Sequence, residues 1–217
     1  MAEQKLKETL GPYKVPDLQT TVPEVFIIES LDDEDEDEGR FEGRILSDML
    51  RLAHKNPKYF YFQSEEELPH LFGLFRASKY RFLHVSSHAS PDKIFLNHGE
   101  ITYDTFSKYA GGHLKLRRLF FSACEIGNMN FVETVAKRNK GMHSIVGPAE
   151  KIPFDISAAL WSAFYISLFS LDTNSVKHAD IETRLEALMK MFPIDFFLAT
   201  YNSVGKAWNT KTMTGEG

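Results

Sequence analysis

Two residues in this chain have the type and the placement for covalent acyl transfer. His88 closes Phe82-Leu83-His84-Val85-Ser86-Ser87-His88-Ala89, and Cys124 lies in Leu119-Phe120-Phe121-Ser122-Ala123-Cys124-Glu125-Ile126-Gly127. A free thiol with a pKa of roughly 8.5 is only slightly ionised at neutral pH; an adjacent imidazole raises the thiolate fraction and can then protonate a leaving amine. Two backbone N–H groups beside such a pair would stabilise the oxyanion of a tetrahedral intermediate, each worth about 3–4 kcal/mol. Cys124 is the single cysteine. That excludes an intramolecular disulfide and any site needing several thiolates, and it fits a reducing, cytoplasmic setting.

Other chemistries find less support. His84, His98 and His113 match no ordinary zinc spacing, and there is no second cysteine, so no metal is expected. Ser86, Ser87 and Ser122 lack a G-x-S-x-G elbow. Gly205-Lys206 lacks the upstream glycines of a phosphate loop, so no nucleotide cofactor is expected either. The net charge of -5 owes much to Asp32 through Glu38, seven carboxylates in a row, and the remainder is nearly neutral without a basic stripe. Nucleic acid is therefore not an expected partner. No stretch reaches the roughly 18 uninterrupted apolar residues of a membrane span, and the charged segment Met1 to Leu10 does not read as a leader, so no membrane partner is expected.

The elements that must position the pair follow from apolar patterning. Residues 1–23, with Gly11, Pro12, Pro16 and Pro23, read as an extended arm, and 24–209 as one domain. Val25-Phe26-Ile27-Ile28 has the continuous apolar character of a strand buried on both faces of a parallel sheet. The acidic run 32–38 follows it as a solvated, mobile loop. Phe41 to Leu52 has helical periodicity, Tyr59 to Phe62 reads as a second strand, and Ser64 followed by three glutamates reads as the cap of a helix running to about Ser78. Arg81–Ser86, Arg117–Ser122 and His143–Val146 are further strands separated by helix-compatible segments, an alternation that implies parallel strands with crossover helices. Ile94-Phe95-Leu96 and Ile101-Thr102-Tyr103 flank a hairpin turn. Two helices, Phe154–Leu171 and Asp180–Met191, precede a sixth and last strand at Phe196–Tyr201, after which residues 210–217 read as a frayed tail.

In an open parallel sheet, ligands bind where strands end at their carboxyl side, and His88 and Cys124 both fall there. A strand ending in His-Ala, a following hairpin, a later strand ending in Ser-Ala-Cys, then Ile145-Val146-Gly147-Pro148-Ala149 and Phe154-Asp155-Ile156-Ser157-Ala158-Ala159 together resemble CHAT-domain proteins, relatives of caspases, metacaspases and separase. The resemblance covers roughly residues 80–170. It implies a caspase-like three-layer α/β sandwich with a mostly parallel six-stranded sheet, His88 as acid and base, Cys124 as nucleophile, and oxyanion donors at the backbone of Ala89 and Cys124. It also implies cleavage of a protein substrate, a regulatory or activating protein partner, and a place in bacterial stress or defence pathways.

Two acidic features bear on the substrate. In arginine-cleaving relatives an acidic residue near Asp155 lines the pocket for the side chain before the scissile bond; the alternative is a helix-start aspartate favoured by the dipole. The run 32–38 leaves the first strand on the same sheet edge as His88 and Cys124. Besides being a solvated loop, it can steer basic substrate segments or gather calcium.

Overall fold

The computed structural model describes residues 20–171 and 176–216. Strand β1 (Val22–Glu29) leads into a short helix α1 (Asp33–Asp37), helix α2 (Glu42–Leu52) and strand β2 (Lys58–Tyr61). A single 3-10 turn over Glu65–Glu67, closed by a Ser64/Glu67 capping box, opens helix α3 (Leu68–Ser78). Strand β3 (Tyr80–Ser86) is followed by the short β4 (His88–Ala89), β5 (Lys93–Leu96) and β6 (Gly99–Thr102), then α4 (Tyr103–Tyr109). Strand β7 (Arg118–Ser122), helix α5 (Met129–Arg138), strand β8 (Ser144–Pro148), helices α6 (Phe154–Leu171) and α7 (His178–Met189), and strands β9 (Phe196–Asn202) and β10 (Ala207–Met213) complete the order.

The main sheet has the order β10-β9-β8-β7-β3-β1-β2, with β4, β5 and β6 forming a separate three-stranded sheet. β2, β1, β3, β7 and β8 are parallel, while β9 and β10 are antiparallel to their neighbours. The chain moves from β1 outward to β2, then returns to place β3 on the other side of β1. Strand order therefore reverses between β1 and β3, the kind of place where a crevice opens at the carboxyl ends.

Helices cover both faces because the central strands are apolar on both. One face of the sheet packs Phe26, Leu83, Leu119 and Phe121 against Phe72 and Phe75 of α3, Phe106 of α4 and Phe131 of α5. The other packs Val25, Ile27, Phe82, Phe120 and Val146 against Leu46 and Leu50 of α2 and an aromatic ladder from α6, namely Trp161, Phe164, Tyr165 and Phe169. Helix α6 is long and apolar enough, by length and composition, to cross a bilayer; in this fold Leu160, Trp161, Phe164 and Tyr165 are fully buried under the sheet.

Three expectations change. The sheet has seven strands rather than six, because β10 pairs with β9 along its whole length. Residues 210–213 thus belong to an edge strand, not a frayed tail. Its sequence, Ala-Trp-Asn-Thr-Lys-Thr-Met, is mostly exposed and carries no continuous apolar run, which is normal for an edge strand and hides it from patterning. The acidic run is not a loop: Asp32 caps a helix over Asp33–Asp37 by accepting from Asp35 N, and Asp35 is buried. The expected arm lies outside the described residues up to 19, and residues 22 and 23 already belong to β1.

Candidate active site

Three adjacent parallel strands end at one place. β1 delivers α1, β3 delivers His88 one residue beyond Ser87, and β7 delivers Ala123-Cys124. Lateral registry holds these ends level, with Glu29 opposite Ser86 and Ser86 opposite Ser122. Ser87 N donates to Ser122 O at 3.1 Å, extending the β3–β7 ladder one step past the strands.

The turn after Cys124 is fixed by the backbone. Glu125 takes a left-handed conformation, φ 57°, and its N–H donates to Glu150 O at 3.0 Å, while Gly127 N donates to Pro148 O at 2.7 Å. A Cβ on Gly127 would fall 2.5 Å from Gly147 O and 2.7 Å from Phe197 Cβ, so only glycine lets this turn lie against β8 and β9. The N–H of Cys124 makes no backbone hydrogen bond among the described residues. In the β4–β5 ladder Ser90 N donates to Lys93 O, so the next opposed pair, Ala89 with Ile94, is a non-hydrogen-bonded one and the Ala89 N–H points away from β5.

His88 and Cys124 line one cavity of about 180 Å³ together with Glu42, Ser87, Ser122 and Phe154. The imidazole stands edge-on to the Phe154 ring at 5.4 Å. Its Nε2 pairs with Asp35 Oδ2, and Asp32 Oδ2 lies 3.6 Å away. Asp35 is in turn held by Arg40 through Nη1 at 2.5 Å. Burial acts to raise the Asp35 carboxyl, but the bonds from His88 and Arg40 outweigh it and hold the group below the ordinary range. No hydrogen bond joins His88 to Cys124 among the described residues. The thiol donates to Ile152 O at 3.8 Å.

A second carboxyl lies at the floor of the cavity. Glu42, the first residue of α2, is fully buried and accepts from the Ser122 hydroxyl at 2.6–2.7 Å and from Ser157 Oγ at 3.2 Å. The Ser86 hydroxyl lies between two carboxyls, 3.4 Å from Glu42 Oε2 and 3.3 Å from Glu29 Oε1. Burial pushes the Glu42 carboxyl up to about 8; the serine hydroxyls oppose the rise and the neighbouring Glu29 adds to it. Glu29 is itself raised by burial, against bonds from Gly43 N and Tyr59. Helix α2 approaches β1 this closely because its second residue is Gly43, where a Cβ would sit 3.0 Å from Ile27 Cγ2.

Asp155 is exposed near the start of α6, its Oδ1 accepting from Ile156 N at 2.8 Å. It lines a neighbouring cavity of about 550 Å³ that shares Glu42 and Phe154 with the first. Asp32, Asp35 and His88 bring three potential metal-ligand atoms within 4.8 Å of one another, although Asp35 is already paired with Arg40 and bonded to His88. His84 is buried in β3 with Nδ1 3.3 Å from Tyr165 OH, and burial pushes its pKa down to about 3, so it is a neutral core residue.

Sequence reasoning missed Asp35 and Glu42. Asp35 was hidden among seven carboxylates of equal appearance, and only the one-turn helix selects it. Glu42 falls inside the helical segment Phe41 to Leu52, where a polar residue carries no mark of burial. The available signals were Glu29 ending an apolar run and the Glu42-Gly43 pair opposite it.

No protein-family model and no curated protein matches the chain. Among solved structures it is similar to a secreted C11 cysteine protease from Bacteroides thetaiotaomicron, "iotapain", with a TM-score of 0.52 at 10% identity. The match covers 83% of this chain and 66% of that one, so this chain spans just under two thirds of the protease's length. The fold is thus the caspase-like one: a mainly parallel sheet of seven strands between helical layers.

Proposed function

We propose that this protein is a cysteine endopeptidase cutting a protein substrate after a basic residue. Cys124 is the nucleophile, His88 the acid and base, and Asp35 the group that orients the imidazole. The observation that carries the reading is one cavity at three strand ends holding an imidazole, a thiol and a buried carboxyl.

In this reading His88 Nδ1 takes the thiol proton as Sγ attacks the scissile carbonyl, and Asp35 stabilises the imidazolium that forms. The N–H groups of Ala89 and Cys124 receive the oxyanion. Collapse breaks the C–N bond, the imidazolium protonates the departing amine, and a thioester remains. Water then attacks the thioester with His88 as base, releasing the acid and restoring the thiol.

Glu42 receives the basic side chain at the floor of the pocket, while Asp155 lends negative potential at the neighbouring opening. The closer kinship with CHAT-domain proteins rests on the motifs within residues 80–170 and is part of the same proposal.

The test is cleavage-site profiling of a denatured proteome with wild type and with Cys124→Ala. New amino termini preceded by Lys or Arg, absent with the variant, are expected. Cleavage retained by a folded Cys124→Ala protein would overturn the mechanism, and no cleavage by either would favour a non-catalytic caspase-like binding module.

A further inference from the structure

At the amino-terminal edge of the sheet, opposite the cavity just described, two arginines and two histidines gather, and the arginines have no carboxylate partner among the described residues. Arg81 lies near the start of β3 and Arg118 opens β7, and the two border one cavity. His143 immediately precedes β8 and His178 opens α7.

Among the described residues, every bond these arginines make goes to a neutral acceptor. Arg81 donates through Nε to Thr21 Oγ1 and through Nη2 to Thr21 O, both at 3.0 Å. Arg118, only 6% exposed, donates through Nη1 to Ser144 Oγ at 3.1 Å and through Nη2 to Val176 O at 3.4 Å. Its Nε is buried with no partner among the described residues, as is His178 Nδ1. No ion pair involves Arg81 or Arg118 among the described residues. Asp180 exerts some field on Arg118, but its Oδ2 accepts from Lys177 N at 3.0 Å and caps α7.

A guanidinium nine-tenths buried beside a second one, with no carboxylate paired to it among the described residues, is costly unless something supplies the charge. Burial and the nearby Arg81 push Arg118 down to about 10, and His143 is lowered by burial and by both arginines. These directions describe a site to which the described residues bring little negative charge beyond Asp180. Thr21, Arg81, Arg118, His143 and Val176 border a cavity of about 440 Å³, within the roughly 300–1,000 Å³ of small-ligand clefts.

We propose that this cavity is a binding site for a phosphate-class oxyanion, held between Arg81 and Arg118 with Thr21 and His143 beside it. Two guanidinium forks match a dianion, and planar bidentate donation suits phosphate oxygens. The volume leaves room for a small organic group on the phosphate. The site does not depend on the peptidase reading, because none of its residues borders the Cys124 cavity.

The test is titration of the whole protein with inorganic phosphate and, separately, with glycerol 3-phosphate, followed by calorimetry and by melting temperature. Acetate at matched ionic strength is the control. Saturable binding with a rise in Tm is expected for phosphate and absent for acetate. Tighter binding of the ester would identify a phosphomonoester as the ligand, and equal or weaker binding the free ion. Arg81→Gln, at a half-buried position that spares the core, is expected to weaken binding at least about tenfold; Arg118→Gln, if it folds, more. An acetate effect equal to that of phosphate, or unchanged affinity in Arg81→Gln, would overturn the proposal.

Discussion

If Glu42 receives a basic side chain, selectivity for that side chain must follow the ionisation of Glu42. With its carboxyl raised to about 8, Glu42 is about 1% ionised at pH 6, about 10% at pH 7 and about 90% at pH 9. A substrate with arginine before the scissile bond keeps its charge throughout, whereas citrulline has the same shape and none. Both use the same thiol and imidazole, so the ratio of their kcat/KM values cancels the ionisation of Cys124 and His88. The ratio should climb nearly tenfold per pH unit from pH 6 and level above about 8, rising about 90-fold overall. Ionising Glu42 at pH 7 costs about 1.4 kcal/mol; a guanidinium about 4 Å away returns about 4 kcal/mol at an effective dielectric of 20, so arginine is still preferred at neutrality. Glu42→Gln should flatten the profile and lower the high-pH preference. A flat ratio in the wild type, or the same climb in Glu42→Gln, would show that the selectivity lies elsewhere, with Asp155→Asn the next variant to measure.

The same residue sets a stability slope. Below its ordinary value of 4.5, Glu42 is protonated whether the chain is folded or not; above it the unfolded chain releases the proton and the folded one keeps it, so stability falls by about 1.4 kcal/mol per pH unit until about pH 8. Urea denaturation from pH 4.5 to 8 should show the wild type losing up to about 5 kcal/mol relative to Glu42→Gln; parallel curves would contradict the burial argument. Asp35→Asn removes a charge-assisted bond to the imidazolium and should lower kcat/KM by about 10- to 150-fold, while leaving the Arg/citrulline ratio unchanged. Gly127→Ala forces a Cβ to within 2.5 Å of Gly147 O and should lower the unfolding free energy by about 1–3 kcal/mol, measured by thermal denaturation.

Much of the fold was legible because its central strands are buried on both faces and so announce themselves as unbroken apolar runs, as in Val25 to Ile28 and Leu119 to Phe121. Helix α6 matched its expected limits, Phe154–Leu171, since Pro153 fixes its start and its aromatic residues persist to its end. β10 escaped because an exposed edge strand needs no apolar pattern. The strand-end placement of His88 and Cys124 followed from topology, which sequence order nearly determines in a parallel sheet. The carboxyls escaped for another reason. Asp35 reaches His88 across 53 residues of sequence and Glu42 reaches Ser122 across 80; nothing local distinguishes Asp35 from its solvated neighbours, and the Glu42-Gly43 pair becomes a signal only beside Glu29.

The central claim is that Cys124 is a nucleophile activated by His88. Its most direct test is labelling of the native protein with a peptidyl acyloxymethyl ketone ending in lysine, with the modified residue mapped by mass spectrometry. The account predicts stoichiometric thioether formation at Cys124, slowed at least about a hundredfold in His88→Ala. Labelling of Cys124 at the same rate in wild type and His88→Ala, matching that of a denatured thiol, would contradict it.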